Sequence, residues 1–150
     1  TYNKNNYTFK ELSPSKFPNS FDIRHVISFG NTYKHNNLKV ALGVNWHSGK
    51  PTTIPVENEP ILLNGVSNSI NFSEPNNERL SDYFRADISS TYQFRISKRI
   101  KATAGISVLN LLNSKNIINT YYSISNENTV NKIDNYAMGI TPNFTFRTSF

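Results

Sequence analysis

Three histidines are the side chains of this sequence with the clearest potential for metal binding or proton transfer. His25, His35 and His47 are well separated along the chain, and none belongs to a His-Glu-x-x-His motif. His25 and His47 also fall on different faces of the alternating segments in which they occur. We therefore interpret all three as structural residues, and we predict no metal site and no cofactor.

Other catalytic chemistries need residues or motifs that this sequence lacks. It has no Cys, which excludes disulfides, thiol nucleophiles, CxxC redox motifs and Cys-ligated zinc or iron–sulfur sites. It contains no P-loop, no Rossmann fingerprint and no GxSxG nucleophile elbow. We therefore expect that the protein is not an enzyme.

The charged residues include two pairs of opposite sign that are spaced for contact along a strand. Asp22 with Arg24, and Arg85 with Asp87, stand two positions apart and so share a face of an extended chain. We expect each pair to neutralise itself. The sequence has 16 Lys and Arg against 10 Asp and Glu, a net charge of +6, but the basic residues form no continuous block. Nucleic acid is therefore not a predicted partner.

Five long segments alternate between apolar and polar residues with a period of two. They cover residues 21–33, 38–47, 83–97, 100–108 and 138–150. This period is typical of β-strands, and together with an aromatic content of 13% it predicts an all-β fold. The segments match the length of about 9 to 11 residues that a tilted strand needs to cross a bilayer, whereas strands of soluble proteins cluster near 5 to 6.

The connections between these segments alternate between short and long. Residues 34–37 and 97–99 form short turns, while 48–82 and 109–137 form long loops. Outer-membrane barrels show this pattern, with short periplasmic turns and long extracellular loops. We therefore predict barrel strands over residues 21–150, after an extracellular loop or the end of a preceding strand at residues 1–20. At the end of the second strand, we expect Gly49 to adopt a positive φ.

The predicted orientation separates aromatic residues into two bands on the apolar face and places charged residues on the other face. An Arg or Lys at mid-membrane depth costs about 2 to 4 kcal/mol, so charged residues are expected to face the lumen. The predicted lumen-facing charges are Arg24, Arg85, Asp87, Arg95, Lys101 and Arg147. The predicted outer aromatic band is Phe21, Trp46, Tyr83, Phe84 and Tyr136, and the inner one is Phe29, Tyr33, Tyr92, Phe94, Phe146 and Phe150.

A soluble antiparallel sandwich is the alternative interpretation of these strands, because it also has one wet and one dry face. Five strands cannot close a membrane barrel, since such barrels start at eight strands and an open edge is not tolerated in lipid. The sequence also starts at Thr1 without an initiator Met. We therefore expect a fragment or a processed product of a larger barrel.

Five blocks of residues, in this order, resemble the C-terminal end of the β-barrel of TonB-dependent outer membrane receptors, especially those of Bacteroidetes. The blocks are residues 17–25 (FPNSFDIRH), 46–52 (WHSGKPT), 79–89 (RLSDYFRADIS), 105–113 (GISVLNLLN) and the closing stretch 139–150. The resemblance implies a barrel of about 22 strands around a plugged lumen, of which these would be the last five.

This resemblance implies a transporter in the bacterial outer membrane that imports a scarce nutrient, such as a siderophore or metal chelate, with energy supplied by TonB. The implied partners are the remainder of the barrel with its plug domain, the TonB complex, the outer membrane assembly machinery and the lipid bilayer. Two alternatives stay open: a glycan-importing receptor that works with a surface lipoprotein, and a structural or secretion-associated barrel without transport activity.

Two groups of residues are candidates for specific roles under this interpretation. Exposed loops on a rigid scaffold commonly carry recognition residues, so the candidate substrate contacts lie at the loop mouth. They are Trp46, His47, Tyr83, Tyr121 and Tyr122. The alternating aromatic residues of the closing stretch resemble the signal by which outer membrane barrels are recognised for assembly. They are Phe144, Phe146 and Phe150.

Overall fold

All regular elements of the described chain are β-strands. The computed structural model describes residues 1–11, 15–63 and 66–150. In chain order the strands are β1 Asn6–Thr8, β2 Lys16–Pro18, β3 Val26–His35, β4 Leu38–His47, β5 Pro51–Thr52, β6 Ile61–Leu63, β7 Val66–Ser69, β8 Glu78–Arg79, β9 Tyr83–Arg95, β10 Lys101–Leu109, β11 Ile117–Ile124, β12 Val130–Tyr136 and β13 Thr141–Ser149. The predicted all-β class with antiparallel pairing is confirmed. Within the described ranges, the chain has no helix with the length and apolarity to span a bilayer.

The chain divides into two compact units. The sheet unit contains Ile27–Trp46, Phe84–Lys115 and Met138–Phe150. The loop unit contains Thr1–Val26, His47–Tyr83 and Asn116–Ala137. The five long predicted strands account for the sheet unit, and the predicted loops account for most of the loop unit.

The sheet unit is built on one five-stranded sheet in the order β13-β10-β9-β4-β3. Its strands have 10, 10, 13, 9 and 9 residues for β3, β4, β9, β10 and β13. The second segment, 38–47, has the predicted bounds. The first strand begins later than predicted, at Val26, because residues 21–25 are held by contacts within the loop unit. Arg24 therefore precedes the strand to which it was assigned.

The register of β9, β10 and β13 sorts their side chains into the two sets that the alternation predicted. Ala104 lies opposite Tyr92 on one side and Phe146 on the other. Thr103, on the other face, lies opposite Gln93 and Arg147. Since side chains alternate along every strand, these pairs define an apolar face and a polar face across the three strands.

The contacts between β3 and β4 are consistent with the same division into an apolar face and a polar face. The two strands are joined by only Asn36 and Asn37, and the Ser28 hydroxyl donates a hydrogen bond of 3.0 Å to Asn45 Oδ1. Asn36 has a φ of 50°, in the left-handed region that tight hairpin turns require and that Asn tolerates. The polar side chains of β3 and β4 thus share one face.

The apolar face of the sheet is exposed. Its aromatic residues Phe144 and Phe146 are 80% and 65% exposed, and Ile106 in the middle of β10 is 47% exposed. Within the sheet unit, all of whose residues the structure describes, the only buried hydrophobic side chains are those of Ala86 and Ala102. The large exposed side chains of this face are Ile27, Phe29, Tyr33, Leu38, Leu42, Ile88, Tyr92, Ile106, Phe144 and Phe146. A soluble sandwich would bury such a face against a second sheet.

A buried asparagine closes the connection between β10 and β13. Asn110 has a φ of 50° and is 1% exposed. Its Nδ2 donates to the carbonyl oxygens of Ser114 (3.0 Å) and Met138 (3.1 Å), and its N–H donates to Asp87 Oδ1 (2.9 Å). Asp87 is also bound by the Arg85 guanidinium, at 2.6 Å from Nη2. The predicted Arg85–Asp87 pair is therefore confirmed, and it also fixes the start of this loop.

The loop unit consists of short two-stranded sheets. β1 pairs with β2, β5 with β8, β6 with β7 and β11 with β12, all antiparallel. Residues 48–82, which were predicted as an irregular loop, therefore contain four strands. Phe21 and Tyr136, which were predicted as rim residues of the sheet, both lie in this unit.

Candidate ligand-binding site

An ion pair with little access to solvent holds three distant segments of the loop unit together. The Asp22 side chain is 1% exposed, and its carboxylate accepts a hydrogen bond from Arg79 Nη2 and one of 2.7 Å from the Asn5 N–H. Arg79 Nη1 donates to the carbonyl oxygens of Asp22 (2.7 Å) and Gly49 (2.9 Å). The Arg79 guanidinium therefore contacts residues that are 57 and 30 positions away from Arg79 in the sequence.

The electrostatics of this ion pair keep Asp22 charged. Burial raises the pKa of the Asp22 carboxyl, but the Asn5 N–H, the Arg79 hydrogen bond and the positive charges of Arg79 and Arg24 together hold it below its ordinary value. Arg24 contributes from 3.6 Å and is 45% exposed. The predicted Asp22–Arg24 contact is therefore confirmed, although Arg79 makes the closer contact.

Gly49 occupies its position because of a close approach between β5 and β8. A Cβ atom at Gly49 would lie 1.7 Å from the carbonyl oxygen of Leu80. Its φ is outside the left-handed region, so the expectation of a positive φ is wrong. Its N–H donates to Asp82 Oδ1 at 3.0 Å, and the Leu80 N–H donates to the Lys50 carbonyl at 3.0 Å. Glycine is needed here for space.

The residues next to this network in sequence line a hollow of 170 Å³ in the loop unit. Three of the lining residues directly follow residues of this network in the sequence. Ile23 follows Asp22, Lys50 follows Gly49, and Leu80 follows Arg79. The complete lining is Ile23, His47, Lys50, Leu80, Ser81, Tyr83, Ile117 and Ile118. The buried ion pair thus positions three of the side chains that form the hollow.

His47 and Tyr83 form one wall of the hollow. Their rings are stacked, with centroids 4.7 Å apart and planes inclined by 7°. His47 Nδ1 lies 3.0 Å from the Ser48 carbonyl oxygen. A carbonyl only accepts hydrogen bonds, so in the neutral imidazole this contact places the proton on Nδ1 and leaves Nε2 as an acceptor.

The lining defines what the hollow can bind. Four aliphatic side chains and an aromatic pair provide apolar contact, and the Lys50 ammonium provides a positive charge. Lys50 is half-buried and forms no ion pair within the described residues. Sites for whole ligands usually have volumes of about 300 to 1,000 Å³, so this hollow suits one anionic, partly apolar group of a larger molecule.

The five predicted loop-mouth residues are only partly brought together. His47 and Tyr83 share the hollow, whereas the Tyr122 ring lies edge-on to Phe72 with centroids 6.0 Å apart. Tyr121 is exposed, and Trp46 belongs to the sheet unit. Sequence reasoning missed Lys50 and Ser81 as lining residues, although Lys50 belongs to the same block as His47 and could have been found by that proximity.

The other predicted site residues lie in the sheet unit, apart from Arg24. Arg85, Asp87, Arg95, Lys101 and Arg147 occupy the polar set of β9, β10 and β13. Phe144 and Phe146 lie on the apolar face of β13, and Phe150 follows it with 93% exposure. Over the parts of the chain that the structure describes, no group of three or more His, Asp or Glu side chains is placed to hold a metal ion.

Comparison with known proteins adds no assignment: no family model, no curated protein and no solved structure matches this chain.

Proposed function

We propose that the five-stranded sheet is part of the wall of a transmembrane β-barrel in a bacterial outer membrane. We further propose that the protein is a TonB-dependent receptor that imports a scarce nutrient such as a siderophore or another metal chelate. By the resemblance of its residue blocks, the chain supplies the last five strands of that barrel.

The observation that carries the proposal is the exposed apolar face of the sheet. Full burial of a large apolar side chain is worth about 1.5 to 3 kcal/mol, so each of these partly exposed side chains forgoes part of that free energy while it remains in water. A face of ten such residues is therefore unfavourable in water and favourable in contact with lipid. The opposite face carries Ser, Thr, Gly and charged residues, as the lumen of a large barrel does.

Strand length and connectivity support the same interpretation. The five strands have 9 to 13 residues, which suits a bilayer crossing at a tilt. Two residues connect β3 to β4 and five connect β9 to β10, while the chain between β4 and β9 and between β10 and β13 is long. All the long connections leave from the same end of the sheet, as extracellular loops would.

Both edges of the sheet require further strands. β3 and β13 are the outer strands of the five, so each has one side on which no further strand of this sheet lies among the described residues, although Val26 at the start of β3 bonds to Thr1. An open edge leaves backbone N–H and C=O groups without partners, which is not tolerated in lipid. The remainder of the barrel would supply both neighbours. The other proposed partners are a plug domain, the TonB complex and the assembly machinery, which would recognise Phe144, Phe146 and Phe150.

Lipid contact can be tested with labels on adjacent residues of one strand. The 150 residues contain no Cys, so Ile106→Cys and Ser107→Cys each add one attachment site to this chain, on opposite faces of β10, and any Cys elsewhere in the protein is replaced by Ser. In the full-length protein reconstituted into vesicles, we expect brominated lipid chains to quench a fluorophore at position 106 and not one at 107. Equal quenching, or recovery of the protein from buffer without detergent, would contradict the proposal.

A charge substitution at the same two positions gives an independent measurement. Ile106→Arg should lower the amount of protein integrated into the outer membrane, because Arg at mid-depth costs about 2 to 4 kcal/mol. Ser107→Arg is the matched control, since Ser107 borders a hollow of 320 Å³ on the polar face that has room for the longer side chain. Similar losses for the two variants would mean that the assignment of faces is wrong.

A further inference from the structure

The folded chain separates its charges far more than the sequence suggests. Nine of the 16 Lys and Arg residues belong to the sheet unit, together with only one of the 10 Asp and Glu residues, Asp87. That single carboxylate is bound by Arg85. The loop unit has the remaining seven basic and nine acidic residues. The sheet unit therefore carries the net positive charge of the chain, although the basic residues are scattered along the sequence.

Within the sheet unit, most of this charge lies at the end of the sheet that carries the two short turns. We call this surface the basic end, and it consists of Lys34, Lys39, Arg95, Lys98, Arg99, Lys101 and Arg147. All seven side chains are exposed, and none of them forms an ion pair within the described residues. Every strand of the five contributes at least one cation or adjoins a turn that does.

Three cations on neighbouring strands lie close together on the polar face. Arg95 is directly opposite Lys101, and Arg147 is opposite Thr103, two positions from Lys101. Like charges on directly opposite residues destabilise a sheet unless an anion lies between them. The folding of this chain therefore maintains an unfavourable arrangement that an anionic partner would relieve.

The groups between the cations indicate the kind of anion. A hollow of 730 Å³ lies on this surface, and its lining includes Asn37, Gln93, Arg95, Lys101, Thr103 and Ser149. The amide and hydroxyl side chains both donate and accept hydrogen bonds. A peptide backbone uses both kinds of partner, whereas a phosphate group only accepts. Polar groups of this kind interleaved with cations therefore suit a carboxylate-bearing peptide.

The spacing of the cations also favours a peptide that bears carboxylates. Alternate side chains of an extended peptide are about 6.6 to 6.8 Å apart. Diagonal neighbours on adjacent strands, such as Lys101 and Arg147, have about 7 to 8 Å between them. Carboxylates at every second position of an extended segment could therefore each meet one cation.

We propose that the basic end is a docking surface for an acidic segment of a second protein, with Asp or Glu at alternate positions of an extended stretch. The two turns at this end are too short to cover the surface themselves, since they contain two and five residues. The turns therefore leave the seven charged side chains exposed. This inference does not depend on the proposed import function, because it rests on charges and strand register.

The test uses full-length protein purified in detergent and a fluorescent peptide of alternating Glu and Gly residues, with binding measured by anisotropy. We expect saturable binding that weakens as the salt concentration rises, because salt screens exposed charges. The double variant R95Q/K101Q should weaken binding about tenfold, as expected for the loss of two exposed charge pairs. Lys115→Gln is the matched control, since Lys115 belongs to the same unit but lies outside the basic end, and it should change binding less than about twofold.

Several outcomes would overturn the proposal. The first is a lack of binding, or equal binding of a peptide in which Gln replaces Glu. The second is an equal loss with K115Q and with R95Q/K101Q, which would indicate only a general attraction to positive charge. The third is displacement of the peptide by tripolyphosphate at an equal carboxylate-to-phosphate ratio, which would assign the surface to phosphate instead.

Discussion

Replacement of Arg79 by Ala tests how much the buried ion pair contributes to the loop unit. The change removes the guanidinium that contacts both the Asp22 carboxylate and the carbonyl oxygens of Asp22 and Gly49. The Asp22 side chain is 1% exposed, so its charge would remain buried without its main partner. Loss of one partner from a buried ion pair typically costs about 3 to 5 kcal/mol.

Arg24→Ala is the matched control, because Arg24 approaches the same carboxylate. Its Nε lies 3.6 Å from Asp22 Oδ2, but the side chain is 45% exposed. Exposed ion pairs contribute about 0 to 1 kcal/mol. The structure thus predicts a large difference between two arginines that contact one acid.

Amide hydrogen exchange measures the difference locally. The Asn5 N–H donates to the Asp22 carboxylate and the Leu80 N–H donates to the Lys50 carbonyl next to the network, so both exchange when the loop unit opens. We expect Arg79→Ala to accelerate their exchange by about two to three and a half orders of magnitude, since each factor of ten corresponds to about 1.4 kcal/mol. Arg24→Ala should accelerate it less than about sixfold. Comparable effects of the two variants would refute the assignment of the network to Arg79.

Two further predictions concern the same unit. The pKa of Asp22 is lower in the folded chain than in the unfolded chain, so its charge stabilises the unit above the unfolded value of about 3.9, and this contribution is lost as the pH falls through the folded-state pKa. Exchange at Asn5, relative to the rate of an unprotected amide at the same pH, should therefore accelerate below about pH 4. Asp22→Asn should remove this pH dependence, whereas an unchanged profile would exclude Asp22 as its source. Gly49→Ala should open the unit, because the new Cβ would lie 1.7 Å from the Leu80 carbonyl oxygen. Gly43→Ala is the control and should be tolerated, because no atom lies within 4 Å of the position of its Cβ. Equal stability of the two variants in thermal unfolding would contradict the close approach at Gly49.

The five strands could be predicted from the sequence because their side chains alternate over most of each segment. Each segment follows one period, and the period alone determines which residues share a face. The shared face of Ala104, Tyr92 and Phe146 needed no further information. The start of β3 could not be predicted in this way, since residues 21–25 also alternate but are held by contacts with residues that are distant in sequence.

The candidate site was less predictable because it depends on contacts between segments of the loop unit. His47 and Tyr83 were identified by their position at strand ends, where loop residues of known recognition sites occur. Nothing in the local sequence of Arg79 distinguishes it from an exposed surface arginine. Its role depends on its contact with Asp22, which is 57 positions away in the sequence, and no periodic pattern predicts such a contact. The same reasoning applies to the basic end, whose members are scattered in sequence and meet only through strand pairing.

The two units differ in what stabilises them, and this difference has a consequence for function. The sheet unit has large apolar side chains on an exposed face and only two small buried ones, so its stability depends on what covers that face. The loop unit is held by hydrogen bonds and an ion pair that form within the unit itself. This network fixes the residues that directly precede three of the side chains lining the hollow, Ile23, Lys50 and Leu80. Ile23, Lys50 and Leu80 are therefore preorganised for a ligand, because the residues next to them are fixed before the ligand arrives.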